Sequence, residues 1–245
     1  MTATAIVVAN MVGTGIFTSL GFQVGDLPSG FVLVFLWVLG GVCAFCGALS
    51  YGELAAALPR SGGEYHFLSK IFHPALGFLS GWLSATVGFA APIALAAMAL
   101  GSYSTGVIEE ANPLAISISV VLIVTAIHLM GTGAGSVLQN LATWLKVGLI
   151  LVFIGAGFFL VGDVQPVTFT PVEGDWDLIT SAPFAVSLVY VMYAYSGWNA
   201  STYIVGEVRN AALNVPLSVA IGTLLVGGLY VLLNMVFLRV APMSA

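Results

Sequence analysis

Chemistry in this chain is concentrated in two short stretches set inside long apolar runs. The first reads Asn10-Met11-Val12-Gly13-Thr14-Gly15-Ile16-Phe17 and the second Tyr193-Ala194-Tyr195-Ser196-Gly197-Trp198-Asn199. Both place polar, backbone-loosening residues near the middle of a segment that otherwise reads as a membrane helix. A helix break at membrane depth is tolerated only where protein or a water-filled cavity covers it. The break frees N–H groups at the start of one half-helix, which draw an anion, and C=O groups at the end of the other, which draw a cation. A zwitterion such as an amino acid matches both, with its carboxylate on the Gly13–Gly15 amides and its ammonium on the carbonyls around Tyr193–Ser196. An isolated G-x-G has the competing reading of close helix packing through small residues. Two Gly-interrupted spans in corresponding positions, one opening the chain and one opening a second five-helix repeat, favour a midplane site.

Other side chains add to this pattern or stand apart from it. Tyr190, Tyr193, Tyr195 and Tyr203 crowd into the second stretch and its flanks. Interfacial aromatics sit at span ends, so Tyr193 and Tyr195, near the middle, need partners for their hydroxyls. Lys146 is the one basic residue placed well inside an apolar segment, too far from its end to reach water. Such a charge faces the bundle interior or a cavity, where a cation or proton role is open to it. Glu53, Glu64 and Glu207 read as solvated caps or as gate pairs with Arg60 or Arg209. His66 and His73 read as loop residues without ligand spacing and His128 stands alone, so no metal site is expected. Cys43 and Cys46 read as inert small apolar residues inside a span.

The elements that must position these residues follow from composition. Of 245 residues, 60% are hydrophobic and 6% charged, with a net charge of −5, and mean hydropathy is +1.09. Ordinary soluble domains carry roughly a quarter charged residues, so the solvent around most of this chain is lipid. That excludes a cytoplasmic enzyme, a nucleic-acid binder and a disulfide scaffold. Segments of about 20 apolar residues are expected at roughly 2–20, 31–57, 75–101, 114–131, 137–161, 181–206 and 214–240. Arg60, Lys70 and Arg209 fall in loops on one side. Asp26, Glu109, Glu110, Asp163, Glu173, Asp175 and Asp177 fall on the other, and Arg239 is the one basic residue at that end. The positive-inside rule puts the N-terminus in the cytoplasm. No signal peptide is visible.

These residues carry a family resemblance. Gly13-Thr14-Gly15-Ile16-Phe17 resembles the G-[ST]-G-I-F signature of the amino acid–polyamine–organocation (APC) permeases. Tyr51-Gly52-Glu53-Leu54 through Pro59-Arg60-Ser61-Gly62-Gly63-Glu64-Tyr65 is similar to the family's S-Y-x-E-L…P-R-S-G-G-E-Y segment, the most specific match. Tyr193-Ala194-Tyr195-Ser196-Gly197-Trp198-Asn199 resembles its F-A-Y-x-G-W-N. The resemblance implies an all-α, polytopic inverted-repeat fold of five plus five helices. The first repeat would be 1–161, an extracellular loop 162–180, and the start of the second repeat 181–245. It also implies a substrate site built from Met11, Gly13, Thr14, Gly15, Tyr193, Ala194, Ser196, Trp198 and Asn199. The carboxylate would meet the amides of Thr14 and Gly15, and the ammonium the carbonyls of Met11, Tyr193, Ala194 and Ser196. Tyr193 would be a gating aromatic, and Trp198 and Asn199 would shape the side-chain pocket. Lys146 falls where relatives carry a lysine that stands in for a sodium ion.

The implied function is a sodium-independent secondary permease in the plasma membrane. It would move amino acids by alternating access, with proton coupling or exchange and without a cofactor. No acidic residue lies near the two breaks, which favours neutral substrates. The Ser102–Asn112 loop holds no cysteine, so no disulfide-linked heavy subunit is expected. The family's N-terminal tail and spans eight to twelve have no counterpart in the sequence, and an N-terminal fragment is therefore expected. A non-transporting fragment stays open as an alternative. A seven-helix receptor or retinal protein is disfavoured because 214–240 contains no lysine and the inferred N-terminus is cytoplasmic.

Overall fold

The computed structural model describes residues 3–108, 110 and 112–242, with side chains given for all of these except 132–134 and 136. Glu109 lies outside the described residues. In chain order, α1 (Ala3–Met11) and α2 (Gly15–Val24) are the halves of the first span, and α3 (Gly30–Ala57) is the second. A short helix α4 (Gly63–Ile71) follows. Then come α5 (Pro74–Leu83) and α6 (Ala90–Ser104) as the third span, α7 (Pro113–Leu129) and α8 (Thr132–Phe159). A short α9 (Asp175–Ile179) precedes α10 (Ala182–Ala194), which continues after a turn as a 3-10 helix over Ala200–Glu207. The last helix is α11 (Ala211–Val240). No strand occurs among the described residues, and the chain is an all-α, multi-pass membrane protein.

Among the described residues, five helical stretches are long and apolar enough to cross a membrane: Ala3–Val24, Gly30–Ala57, Pro74–Ser104, Val137–Phe159 and Ala211–Val240. Two of the seven expected segments appear as shorter apolar helices. α7 has 17 residues and α10 has 13, because the helix stops at the second break. Side-chain caps fix several starts. Ser29 Oγ accepts from Val32 N–H at 3.3 Å, and Ser181 Oγ from Phe184 N–H at 3.4 Å. Asn112 Oδ1 accepts from Leu114 and Ala115 N–H at 3.0 and 3.2 Å. These residues satisfy donors that a helix start leaves orphaned.

The chain forms two compact units, one of 1–63 with 143–245 and one of 64–142. In the first, α3 is the spine. Its glycines let other spans approach closely, as small residues do in membrane bundles. A β-carbon at Gly40 would lie 2.4 Å from Val191, one at Gly47 2.9 Å from the Trp198 ring, and one at Gly52 2.9 Å from the Pro216 Cα. α10, the second break and α11 are thereby seated along one helix. Ahead of α9, residues 165–168 cover the start of α3: Gln165 N–H donates to Arg239 O at 2.8 Å, and Val167 and Thr168 close over Gly30. Arg239, the basic residue at the acidic end, lies 6.0 Å from the Phe158 ring centroid, where a cation–π contact holds it.

The second unit contains α4 to α7. The third span is not continuous: a π-helical turn spans Ser84–Gly88, with Phe89 N–H donating to Ser84 O at 2.9 Å. Pro92 gives the physical reason. It has no N–H for the Gly88 carbonyl and its ring crowds that group, so the preceding turn widens. One loop assignment is corrected, that of His66, while His73 stays outside the helices as expected. His66 lies within α4 rather than in a loop, because Gly63–Ile71 alternates apolar and polar residues at helical spacing, with Glu64 in the first turn and Lys70 in the last, both favoured by the helix dipole. His73 is the N-cap of α5, its Nδ1 accepting from Ala75 N–H at 3.2 Å.

The tightness of the α3 face yields a first prediction. Gly52→Leu forces a side chain into the Pro216 backbone and should destabilise the protein by about 1–3 kcal/mol, read as a lowered Tm of the detergent-purified protein. An unchanged Tm would mean that α3 and α11 do not pack at this distance.

Candidate functional site

Both sequence stretches interrupt their helices, and the interruptions touch. α1 ends at Met11, residues 12–14 are irregular, and α2 begins at Gly15. α10 ends at Ala194, and the chain turns through Tyr195–Asn199 before the 3-10 helix. Gly197 sits at φ +100°, a conformation that L side chains rarely adopt. A β-carbon there would lie 2.8 Å from the Asn10 carbonyl and 3.1 Å from the Met11 nitrogen. On the other side, a β-carbon at Gly15 would lie 3.0 Å from Ala194 Cα. Glycine is therefore required at Gly197, and at Gly15 a side chain would need Ala194 to give way slightly.

Two side chains from other spans satisfy the carbonyls freed at the first break. Lys146, on α8, is half-buried and its Nζ donates to Ala9 O at 2.5 Å and Val12 O at 2.6 Å. Tyr230, on α11, is fully buried. Its hydroxyl donates to Met11 O at 2.6 Å and lies 3.3 Å from Ala194 O. One phenol thus links both breaks. Tyr195 is also fully buried and donates from its hydroxyl to Trp37 O on α3 at 3.0 Å. The Trp37, Tyr195 and Tyr230 rings pack together with centroids 5.1–5.9 Å apart.

The expected residues are distributed unevenly around this centre. Gly13 and Thr14 are exposed, with nothing within 4 Å of a β-carbon at Gly13. Met11, Gly15 and Ala194 are buried. Tyr193 is 47% exposed, and Ser196 is exposed. The Tyr193 carbonyl already accepts from Ser196 N–H at 3.0 Å, although a carbonyl keeps a second lone pair. Trp198 packs edge-on against Tyr51 of α3 at 4.9 Å. The Asn199 amide donates to the Tyr203 hydroxyl at 3.0 Å, within the 3-10 helix that follows it. Of the two mid-span tyrosines, Tyr195 is the buried, partnered one. Tyr230 and Trp37 escaped the sequence reading. A lone tyrosine in the middle of 214–240 is the signal that could have found Tyr230, by the reasoning applied to Tyr195.

Two broken spans that cross at unwound backbone form a discontinuous-helix arrangement of the kind around which midplane sites are built in membrane proteins. Comparison places the chain more closely. Residues 1–245 match the family model described as amino acid permease, and the chain belongs to that family, within the APC superfamily. It is 27% identical over 243 residues to the b(0,+)-type amino acid transporter 1 of Mus musculus, covering 96% of this chain and 49% of that protein. It is 27% identical over 240 residues to the serine/threonine exchanger SteT of Bacillus subtilis, covering 97% and 53%. It is 26% identical over 248 residues to the Asc-type amino acid transporter 1 of Homo sapiens, covering 97% and 47%. The chain spans about half the length of the curated relatives it matches.

The crossing predicts a contrast between two glycines. Gly197→Ala combines left-handed backbone with a clash against Asn10, and should lose about 2 kcal/mol or more. Gly13→Ala, with open space around it, should melt like the parent. Thermal unfolding of both purified variants checks this, and equal melting points would contradict the crossing.

Proposed function

We propose that the protein is a secondary amino acid permease whose substrate binds where the two breaks cross. The supporting observation is the meeting of unwound backbone from spans one and six, held by Lys146 and Tyr230. The exposed Gly13 and Thr14 and the start of α2 offer N–H groups for a carboxylate. The carbonyl end of α10, at Tyr193, Ala194 and Ser196, offers acceptors for an ammonium. Tyr193, half-exposed beside them, gates the site. Trp198 and Asn199 set the pocket by fixing the second break against α3 and Tyr203. Transport proceeds by alternating access within an inverted-repeat framework, with spans one, two, six and seven moving as a bundle. The N-terminus is cytoplasmic by the placement of Arg60, Lys70 and Arg209.

Lys146 supports sodium independence. A fixed ammonium on the Ala9 and Val12 carbonyls takes the place that a bound cation would occupy. Neutral substrates fit a site without acidic residues at either break, and the name of the Bacillus relative, a serine/threonine exchanger, agrees with exchange of such substrates. Proton coupling is the other mode this lysine permits.

In proteoliposomes, replacing external sodium with choline should change amino acid uptake less than about twofold, whereas Lys146→Ala should lower it by about tenfold or more. Gly13→Leu should fold yet lose uptake, because its side chain fills the open space at the α2 start. Sodium-dependent uptake, or full uptake by Gly13→Leu, would defeat this reading.

The partner proposal is checked separately. Without a cysteine in the Ser102–Asn112 loop, the protein should migrate identically on reducing and non-reducing gels from its native membrane. A thiol-sensitive larger species would show a covalent partner.

A further inference from the structure

One polar side chain away from the carbonyl ends of the breaks joins three spans. Gln23, in the last turn of α2, is 0% exposed. Its Oε1 accepts the Trp37 indole N–H from α3 at 3.1 Å, and its Nε2 donates to the Ser187 carbonyl of α10 at 3.4 Å. Leu20, Leu33, Leu36 and Val191 belong to the same buried apolar cluster. An amide in such surroundings must keep both ends paired, because a buried donor or acceptor left unpaired loses the hydrogen bonds it had in water without replacement. A slip of α2 along α10, or of either along α3, breaks at least one of these bonds. On the exposed side of the same seam, Phe22 of α2 stacks on Tyr190 of α10 with centroids 5.9 Å apart.

The other halves of the two broken spans are fastened differently. α1 is held by Lys146 and Tyr230 at its end. The 3-10 helix is held by Ser61, whose hydroxyl accepts from Gly206 N–H at 2.8 Å, and by the Ser218–Ser201 bond at 2.9 Å. The irregular backbone lies between these two sets of fastenings. We infer that Gln23 is a positioning residue that locks α2, α10 and α3 into one body, so that bending occurs at the breaks and not between these three helices. The inference rests on the transport reading above.

The test uses the protein in proteoliposomes with Cys43→Ala and Cys46→Ala as background. Cysteines replacing Phe22 and Tyr190 are joined by a short bifunctional thiol reagent. If α2 and α10 move as one body, the cross-linked pair keeps at least about half the uptake of the unlinked pair. Arrest of uptake by the cross-link, with the unlinked pair active, overturns the proposal. Spin labels at the same two positions give a readout that needs no transport: a single narrow separation, with and without amino acid, that broadens in Gln23→Leu. Equal distributions in the two proteins overturn the proposal, even if uptake by the parent is absent and the transport reading has itself failed. Where uptake is present, Gln23→Leu and Trp37→Phe should each slow turnover by about tenfold, with the amino acid dissociation constant changed less than twofold, and the double variant should be no slower than either. Additive losses, or a loss confined to affinity, count against the lock.

Discussion

Everything around the two breaks depends on one constraint: backbone N–H and C=O groups that leave a helix inside a membrane must find partners there. The first break frees the carbonyls of Ala9, Met11 and Val12. The protein meets this demand with side chains from elsewhere, Lys146 for Ala9 and Val12 and Tyr230 for Met11. Water could pair the same groups, but it would not fix their direction. Two long side chains from α8 and α11, each reaching across to backbone, turn irregular chain into a defined object. The glycines follow from the same demand. Gly15 and Gly197 occur where the two irregular segments touch, since a β-carbon at Gly197 would hold them apart and one at Gly15 would press on Ala194.

How far this was legible in sequence differs between fold and site. The spans were legible because lipid imposes length and composition. Ser29, Asn112 and Ser181 sharpen several starts, since a capping side chain acts within its own turn. The breaks were legible because Gly13, Gly15 and Gly197 interrupt runs that would otherwise continue. The π-helical turn before Pro92 was foreshadowed by the proline, but its width depends on how the third span packs. What stayed hidden is tertiary. Nothing local in α11 says that Tyr230 rather than another residue reaches the breaks. Gln23 and Trp37 are ordinary in their own helices and gain meaning only from each other. Asp175 shows the same limit: it reads as one of several loop carboxylates, yet it is 2% exposed, accepting from Val172 N–H at 2.8 Å. His66 shows the opposite limit: nine residues between two spans carry too weak a periodic signal to stand out from loop.

The buried polar groups of the first unit are mostly uncharged, and this has a physical basis. A charge in the bilayer interior is expensive, whereas an amide, indole or phenol can be satisfied by one or two backbone carbonyls. Gln23, Tyr195, Tyr230 and Ser218 each donate to a backbone carbonyl, and Trp37 and Ser201 pair with the side chains of Gln23 and Ser218. Van der Waals packing in membranes does not distinguish sharply between one register and the next, because lipid is as apolar as the helix face. Directional bonds supply that distinction. The α3 glycines let helices come close, and the polar pairs set which residues meet.

Lys146 is the charged side chain held at the first break, and in the proposed permease its position divides the work between protein and ligand. The first break offers a carbonyl end on α1 and an amide end on α2. The second offers a carbonyl end on α10. With its ammonium on Ala9 and Val12, the protein supplies the cation for the α1 end itself, where the helix dipole also favours positive charge. That leaves one end attractive to an anion, the start of α2 with Gly13 and Thr14 exposed, and one end attractive to a cation, the close of α10. Had the α1 end been left open, two cations would be needed for each anion, and a free amino acid would bind together with a metal ion. A lysine fixed at that end lets the remaining polarity match a single zwitterion. For the proposed permease, the same side chain that steadies the broken backbone therefore determines what the break can recognise.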